Sequence, residues 1–186
     1  MYYETELKDY VRVPPTAFNL STEDAILKTL NERFKGFISK NVGIVLGISE
    51  ITDIGEGIII PGDGAAYFNT KFKVITFKPE LQEVLLGKIN EITDFGAFMN
   101  IGALDGMIHV SQTMDDYVSF SKSKVLVGKQ TKRALKQDDD CIARVIAISF
   151  KELRNPKLTL TMRQPWLGNM KWIKEDLKKL KKADKT

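Results

Sequence analysis

The sequence predicts a two-part chain, an α+β unit followed by an all-β barrel, and three observations carry that prediction. One amphipathic helical stretch lies between extended segments near the start. From Val42 the apolar pattern changes to short β-rich runs bounded by Gly, Pro and Asp. A second β rhythm begins at Leu85, after the break "FKPE" at Phe77–Glu80. Residues 1–80 are thus expected to form a small sheet with one main helix on a face, and residues 81–186 a barrel ending in a basic helix.

The first element, "YYETELKDYVRVPP", reads as extended and stops at Pro14 and Pro15, which remove two ladder donors. "NLSTEDAILKTLNERFKGFISK" then reads as a helix. Ser21 is its N-cap, and Glu23 and Asp24 sit in the first turn where the dipole favours acids. Ile26, Leu27, Leu30, Phe34, Phe37 and Ile38 make one apolar stripe, and Gly36 within it costs about 1 kcal/mol against alanine. "VGIVLGISEI", "EGIIIP" and "KFKVITF" read as strands, with the turn cluster "PGDGAAYFN" before the last. In the second part "VLLGKINEI", "FGAFMNI", "GMIHV", "QTKRALK", "DCIARVIAIS" and "KLTLTMR" read as strands, enough for a small barrel. After Pro165, Trp172, Ile173, Leu177 and Leu180 line one side of a terminal helix.

Composition narrows the function classes. With 43% hydrophobic and 28% charged residues the chain has the balance of a folded soluble protein. No apolar run is long enough to span a bilayer, and "MYYETELKDY" lacks the order of a signal peptide, so a cytoplasmic protein is expected. Cys141 alone cannot build a disulfide framework, nor a zinc site with only one histidine in the chain. The net charge of +4 is uneven: residues 1–80 hold 9 basic and 11 acidic groups, while residues 168–186 hold 7 and 3. The tail therefore equals the whole excess, and any nucleic-acid surface has to come from local placement.

No cofactor or metal is expected. "QDDDC" carries Asp138, Asp139 and Asp140 in succession, a spacing that cannot converge on one ion. These acids, with Asp115 and Asp116, are expected to be solvated. His109 has no assignable nucleophile or carboxylate partner, and no catalytic constellation emerges. A ribonuclease would need acids around metals or an activated nucleophile, and neither can be assembled.

The stretch "ITDFGAFMNIGALDGMIHVS", Ile92–Ser111, holds the chain's main candidate site. Strict alternation sends Phe95 and Phe98 to opposite faces, whereas a bulge near Gly96 would bring both rings to one surface beside His109. In the first case one ring fills the core; in the second, exposed rings stack on unpaired bases, worth about 1–3 kcal/mol each. The residues alone leave both open.

From Gly87 to Arg163 the pattern "GKINEITDFGAFMNIGALDGMIHVS" followed by "ARVIAI" and "LTLTMR" resembles the S1 RNA-binding domain, a five-stranded barrel of the oligonucleotide-binding (OB) type. The resemblance implies an RNA face at Phe95, Phe98 and His109, joined by the basic Lys157; Lys88 and Arg144 are the further basic candidates. The stretch between Ser111 and Cys141 is longer than in a minimal S1 domain, and "FKELRNPKL" lacks its usual short turn.

"MYYETELKDYVRVPP", "GEGIIIPGDGAAYFNTKFKVITFKP" and a following S1 domain, in this order, resemble the stalk subunit of multisubunit RNA polymerases, called E-prime in archaea and the seventh subunit in polymerase II. This implies an N-terminal domain of truncated ribonucleoprotein (RNP) type. It also implies a heterodimer with a smaller helical RNA polymerase subunit, known in archaea as F. A tip docking on the RNA polymerase core near the clamp, and contact of the S1 domain with nascent single-stranded RNA, are implied as well. The tip maps to Ile60–Tyr67, with Pro61, Gly62, Asp63 and Gly64 at its turn. No membrane or small-molecule substrate is implied. The alternative is an S1-domain RNA-binding protein of translation or RNA decay. An initiation factor of that kind places S1 first, and an exosome cap adds a KH Gly-x-x-Gly clamp that is absent here.

Overall fold

The computed structural model describes residues 1–121, 124–150 and 156–183. The chain divides into two compact units, Met1–Lys78 and Pro79–Thr186.

In the first unit β1 (Tyr2–Val13), α1 (Thr22–Phe34), β2 (Ile38–Ser39), β3 (Gly43–Ile59) and β4 (Ala66–Phe77) follow in order. The strands form one antiparallel sheet ordered β1-β4-β3-β2. Helix α1 covers one sheet face, burying Ile26 and Leu30 against Val11, Val13, Phe72 and Val74. Ser21 caps it as expected, its hydroxyl accepting from the Asp24 amide at 3.2 Å. The helix is shorter than its apolar stripe suggests. Lys35 ends it with an extended backbone, Ile38 enters β2, and Phe37 is exposed, touching only the edge of Phe34 among aromatic rings.

Two of the expected strands are one. β3 runs unbroken through Gly55 because four register shifts against β4 absorb its irregular stretches. These bulges explain why the sequence pattern breaks: each changes the face on which the next side chain falls.

The second unit begins with β5 (Val84–Ile92), β6 (Gly96–Asn100) and β7 (Asp105–His109), followed by a short 3-10 turn at Val110–Gln112. Next come β8 (Val118–Ser121), β9 (Val125–Gly128), β10 (Ala134–Leu135), β11 (Asp140–Ser149), β12 (Lys157–Thr161), β13 (Gly168–Asn169) and α2 (Met170–Ala183). The order β12-β7-β6-β5-β11 closes on itself through β11–β12, giving a five-stranded OB-like barrel; β13 adds to β11. Ile89, Met99, Ile108, Val145 and Leu160 fill it completely buried. Cys141 joins them, and burial pushes its thiol up to about 12. No helix among the described residues is long and apolar enough to cross a membrane.

The extra length after Ser111 is a separate small sheet, ordered β10-β9-β8. Asp116, expected to be solvated, organises it instead: its carboxylate accepts from the Gln130 and Thr131 amides and from the Thr131 hydroxyl. Asp139 is also no solvated hairpin end. It is buried, accepting from the Lys136 amide at 2.9 Å and from Lys171 Nζ, at the first turn of α2, at 2.8 Å. Consecutive acids on a turn cannot share one environment, so Asp139 turns inward while Asp138 takes a left-handed backbone. The stretch 151–155 of "FKELRNPKL" and the last three residues lie outside the described residues.

Two outcomes test this packing. Leu30→Ala should lose about 2–5 kcal/mol in denaturant unfolding of the first unit, the cost of an uncollapsed cavity under α1. Burial works against the Asp139 charge, but Lys171 and the Lys136 amide outweigh it and hold the carboxyl below its ordinary value. Its stabilisation is therefore present above the ordinary carboxylate range and lost as pH falls through the depressed value. Amide exchange in α2 should accelerate in that acid window, and Asp139→Asn should remove this component of the profile.

Candidate nucleic-acid interface

Side chains on the barrel wall alternate between core and solvent, and β6 and β7 show it directly. Ala97 and Met99 of β6 and Gly106 and Ile108 of β7 face inward, and Phe98, Asn100, Asp105, Met107 and His109 face outward. Cross-strand pairing sets Phe98 opposite Met107 and Asn100 opposite Asp105. β12 lies parallel to β7 with Thr159 beside Met107, which carries Lys157 to the same outer surface. Phe98, Met107, Pro156, Lys157 and Thr159, with Asp105 at one end, line a groove of about 450 Å3.

Phe95 joins this surface by a route other than a bulge at Gly96. It stands in a bend just before β6, closed by the Thr93 amide and hydroxyl donating to the Gly96 carbonyl at 2.8 and 3.0 Å. Being off the strand, it escapes the alternation that would have sent it to the other face. The bulge lies in the partner strand, between Ile89 and Glu91 of β5. The Phe95 and Phe98 rings meet edge to face, 6.1 Å apart, with Phe95 47% exposed. Gly96 pairs with His109, and a side chain there would run into the Ile108 carbonyl and the His109 Cα.

His109 is exposed and held by its neighbour. Its Nδ1 accepts from the Ser111 amide at 3.3 Å and lies 2.8 Å from the Ser111 hydroxyl. An amide can only donate, so in the neutral ring the proton sits on Nε2, the nitrogen left for a ligand. Asp105 is oriented by Asn100, whose amide donates to it at 2.9 Å.

The basic candidates are not all gathered here. Lys157 lines the groove with Phe98. Lys88 pairs with Asn100, so it stands on the same outer face, two residues along β6 from Phe98. Arg144 pairs with Val84 at the far end of β5, seven residues from Glu91, which stands opposite Phe98. The structure does not bring it to the groove, and its Nε is buried with no partner among the described residues. Met107, Thr159 and Asp105 are additions that the sequence reading lacks. The signal is there for two of them, since counting back from His109 by twos reaches Met107 and Asp105.

In the first unit, the turn between β3 and β4 holds Pro61, Gly62, Asp63 and Gly64. Gly62 has φ +93, a left-handed backbone with open space around it, so glycine is favoured there for conformation alone. Gly64 has no such φ, and a Cβ on it would make only ordinary contact with Pro15. Of the two glycines expected to shape the turn, the backbone requires only the first.

Comparison with known proteins follows the same division. Residues 8–64 match the family described as the SHS2 domain found in the N terminus of Rpb7p/Rpc25p/MJ0397, and residues 78–146 match the S1 RNA binding domain. The chain is 33% identical over 183 residues to DNA-directed RNA polymerase subunit Rpo7 of Sulfolobus acidocaldarius, covering 98% of this chain and 100% of that one. It is 34% identical to the Rpo7 subunit of Saccharolobus solfataricus over 96% of this chain and 100% of the relative. Subunit RPC8 of DNA-directed RNA polymerase III from Saccharomyces cerevisiae is 34% identical over 61% of this chain and 54% of its own length. With an SHS2 unit, an S1 barrel and full-length archaeal relatives in one order, the chain belongs to the Rpo7 family of DNA-directed RNA polymerase subunits.

Proposed function

We propose that this chain is a non-catalytic stalk subunit that pairs with the smaller helical stalk polypeptide and docks on the polymerase core near the clamp through its tip. Its barrel holds emerging single-stranded RNA. The observation that carries the RNA reading is the groove of about 450 Å3 in which Phe98 and Lys157 share one outer surface. The exposed Phe95 stands against Phe98, and His109 lies opposite Gly96 in the adjoining strand.

Rings stack on any base, a lysine takes the phosphate, and His109 offers a fixed N–H donor. Nothing in this set recognises a full Watson–Crick edge, so the grip is sequence-tolerant. Lys88 extends the cationic margin, and Arg144 is left as a peripheral contact. Holding the transcript favours elongation and influences termination, while the tip acts on the clamp during promoter opening; nucleotide addition belongs to other subunits. The turn at Pro61–Gly64 suits insertion because it is a tight hairpin end with Pro61, Gly62 and Gly64 exposed.

Replacing Phe95, Phe98 and His109 together by alanine should weaken single-stranded RNA binding in gel shifts at least about tenfold, the loss expected from even one stacked base in the lower half of its range. The smaller stalk polypeptide should still copurify. Undiminished RNA affinity in that folded variant would move the RNA face elsewhere. For the tip, Gly62→Val forces a branched residue into a left-handed backbone and should reduce incorporation into the holoenzyme, scored by copurification with core subunits.

A further inference from the structure

The turn at the end of the β3–β4 hairpin is held from outside itself. Arg12, on β1, donates from Nε to Asp63 Oδ2 at 2.9 Å and from Nη2 to Oδ1 at 2.7 Å, a two-pronged pair. The Tyr67 hydroxyl donates to Oδ2 at 2.7 Å and the Ala65 amide to Oδ1 at 3.2 Å. Arg12 and Tyr67 are direct cross-strand partners on β1 and β4, so the sheet presents both to the carboxylate at once. The Asp63 amide closes the turn on the Ile60 carbonyl at 3.1 Å. The Arg12 guanidinium, followed by the Tyr67 hydroxyl, holds the Asp63 carboxyl well below the usual carboxylate range.

Beside this network stand Ile58, Ile59 and Ile60, 53%, 71% and 47% exposed. Consecutive residues on a strand point to opposite faces, so exposure of both Ile58 and Ile59 means that the β3 arm of this hairpin end is uncovered on both faces, while Ala65 on the other arm is buried. A flat partner surface would cover one side only; a concave one covers both. Between Gly57 and Ala65 the only charged side chain is Asp63, and Arg12 neutralises it.

We propose that Arg12 is a positioning residue for docking. Its fork on Asp63, with Tyr67, shapes the turn and cancels its single charge, so that Ile58–Ile60 enter a concave apolar socket on the polymerase core as a preformed, electrically neutral plug. This rests on the tip reading above and adds what makes the tip fit. An unpaired Asp63 would have to be desolvated in the socket, and an unlatched turn would have to be ordered on binding.

The test titrates the full chain onto stalk-free core polymerase and follows amide exchange at residues 62–65 in the free chain. Ile59→Asp should abolish docking, which checks the tip itself. Arg12→Ala should weaken docking at least about tenfold, the cost of leaving a charged group unpaired. Arg12→Lys, which keeps the charge and loses the fork, should fall between Arg12→Ala and wild type. Arg12→Ala combined with Asp63→Asn should recover part of the loss, because the buried charge is gone, while fast exchange in the turn persists. A general structural defect would give no such recovery. Should Arg12→Ala fail to fold, Tyr67→Phe decides, with a smaller weakening and faster turn exchange expected. Wild-type docking by folded Arg12→Ala, or by Tyr67→Phe where that variant decides, would overturn the latch if Ile59→Asp still fails to dock. Normal docking by Ile59→Asp would overturn the tip reading beneath it.

Discussion

The outer surface of the barrel depends on how closely β6 and β7 approach at Gly96. Any side chain there would meet the Ile108 carbonyl and the His109 Cα. Its absence lets the chain bend at Phe95 and start β6 at once, with the Phe95 carbonyl taking the Val110 amide at 2.9 Å. That bond ties the bend to the residue following His109, so ring and imidazole are fixed by one stretch of backbone. The opposite border of the groove has a related cause. Gly106 leaves room for Leu160 from β12, where a Cβ would collide with its side chain. β12 can then lie against β7 and carry Lys157 and Thr159 to the groove wall. Two missing side chains therefore bring together groups from the bend, β6, β7 and β12.

Much of this can be read from residue order, and the failures have a common physical origin. Ser21, the apolar face around Ile26 and Leu30, and the alternation of β6 and β7 are local effects, set within a few residues, and the structure matches them. The bulges of β3 and β5 depend on the partner strand's register, which no single strand encodes. Phe37 continues the helical period, but the chain has already left the helix at Lys35. Asp116 and Asp139 are indistinguishable from surface acids until the backbone amides and Lys171 that surround them are placed. Phe95 is the instructive residue. Its position next to Phe98 follows from one of the two sequence readings; the means, a bend outside the strand, follows from neither.

Charge contributes less to the barrel face than the basic composition suggests. The groove pairs one cation, Lys157, with one carboxylate, Asp105. The excess of lysine lies in residues 168–186, and part of it is already used: Lys171 holds Asp139. On the proposed reading, affinity for RNA at this face comes mainly from ring area. Such a grip changes little from base to base, as holding a moving transcript requires.

The two units thus present apolar surface by opposite means. On the barrel, Phe95 is left open because a bend lifts it off the strand and away from the core that alternation would have assigned it. At the hairpin end, Ile58 and Ile59 are open where β3, which β2 meets only at Gly43 and Ile44, has become the edge strand of the sheet, and the one charge there is cancelled internally by Arg12. A base is flat and needs one face of a ring, whereas a plug must be surrounded. On the proposed reading, a ring pair and a bare edge-strand end are therefore different solutions to different partners, and each is held in place by hydrogen bonds within its own unit: those of Thr93 and Ser111 in one case, of Asp63 and Tyr67 in the other.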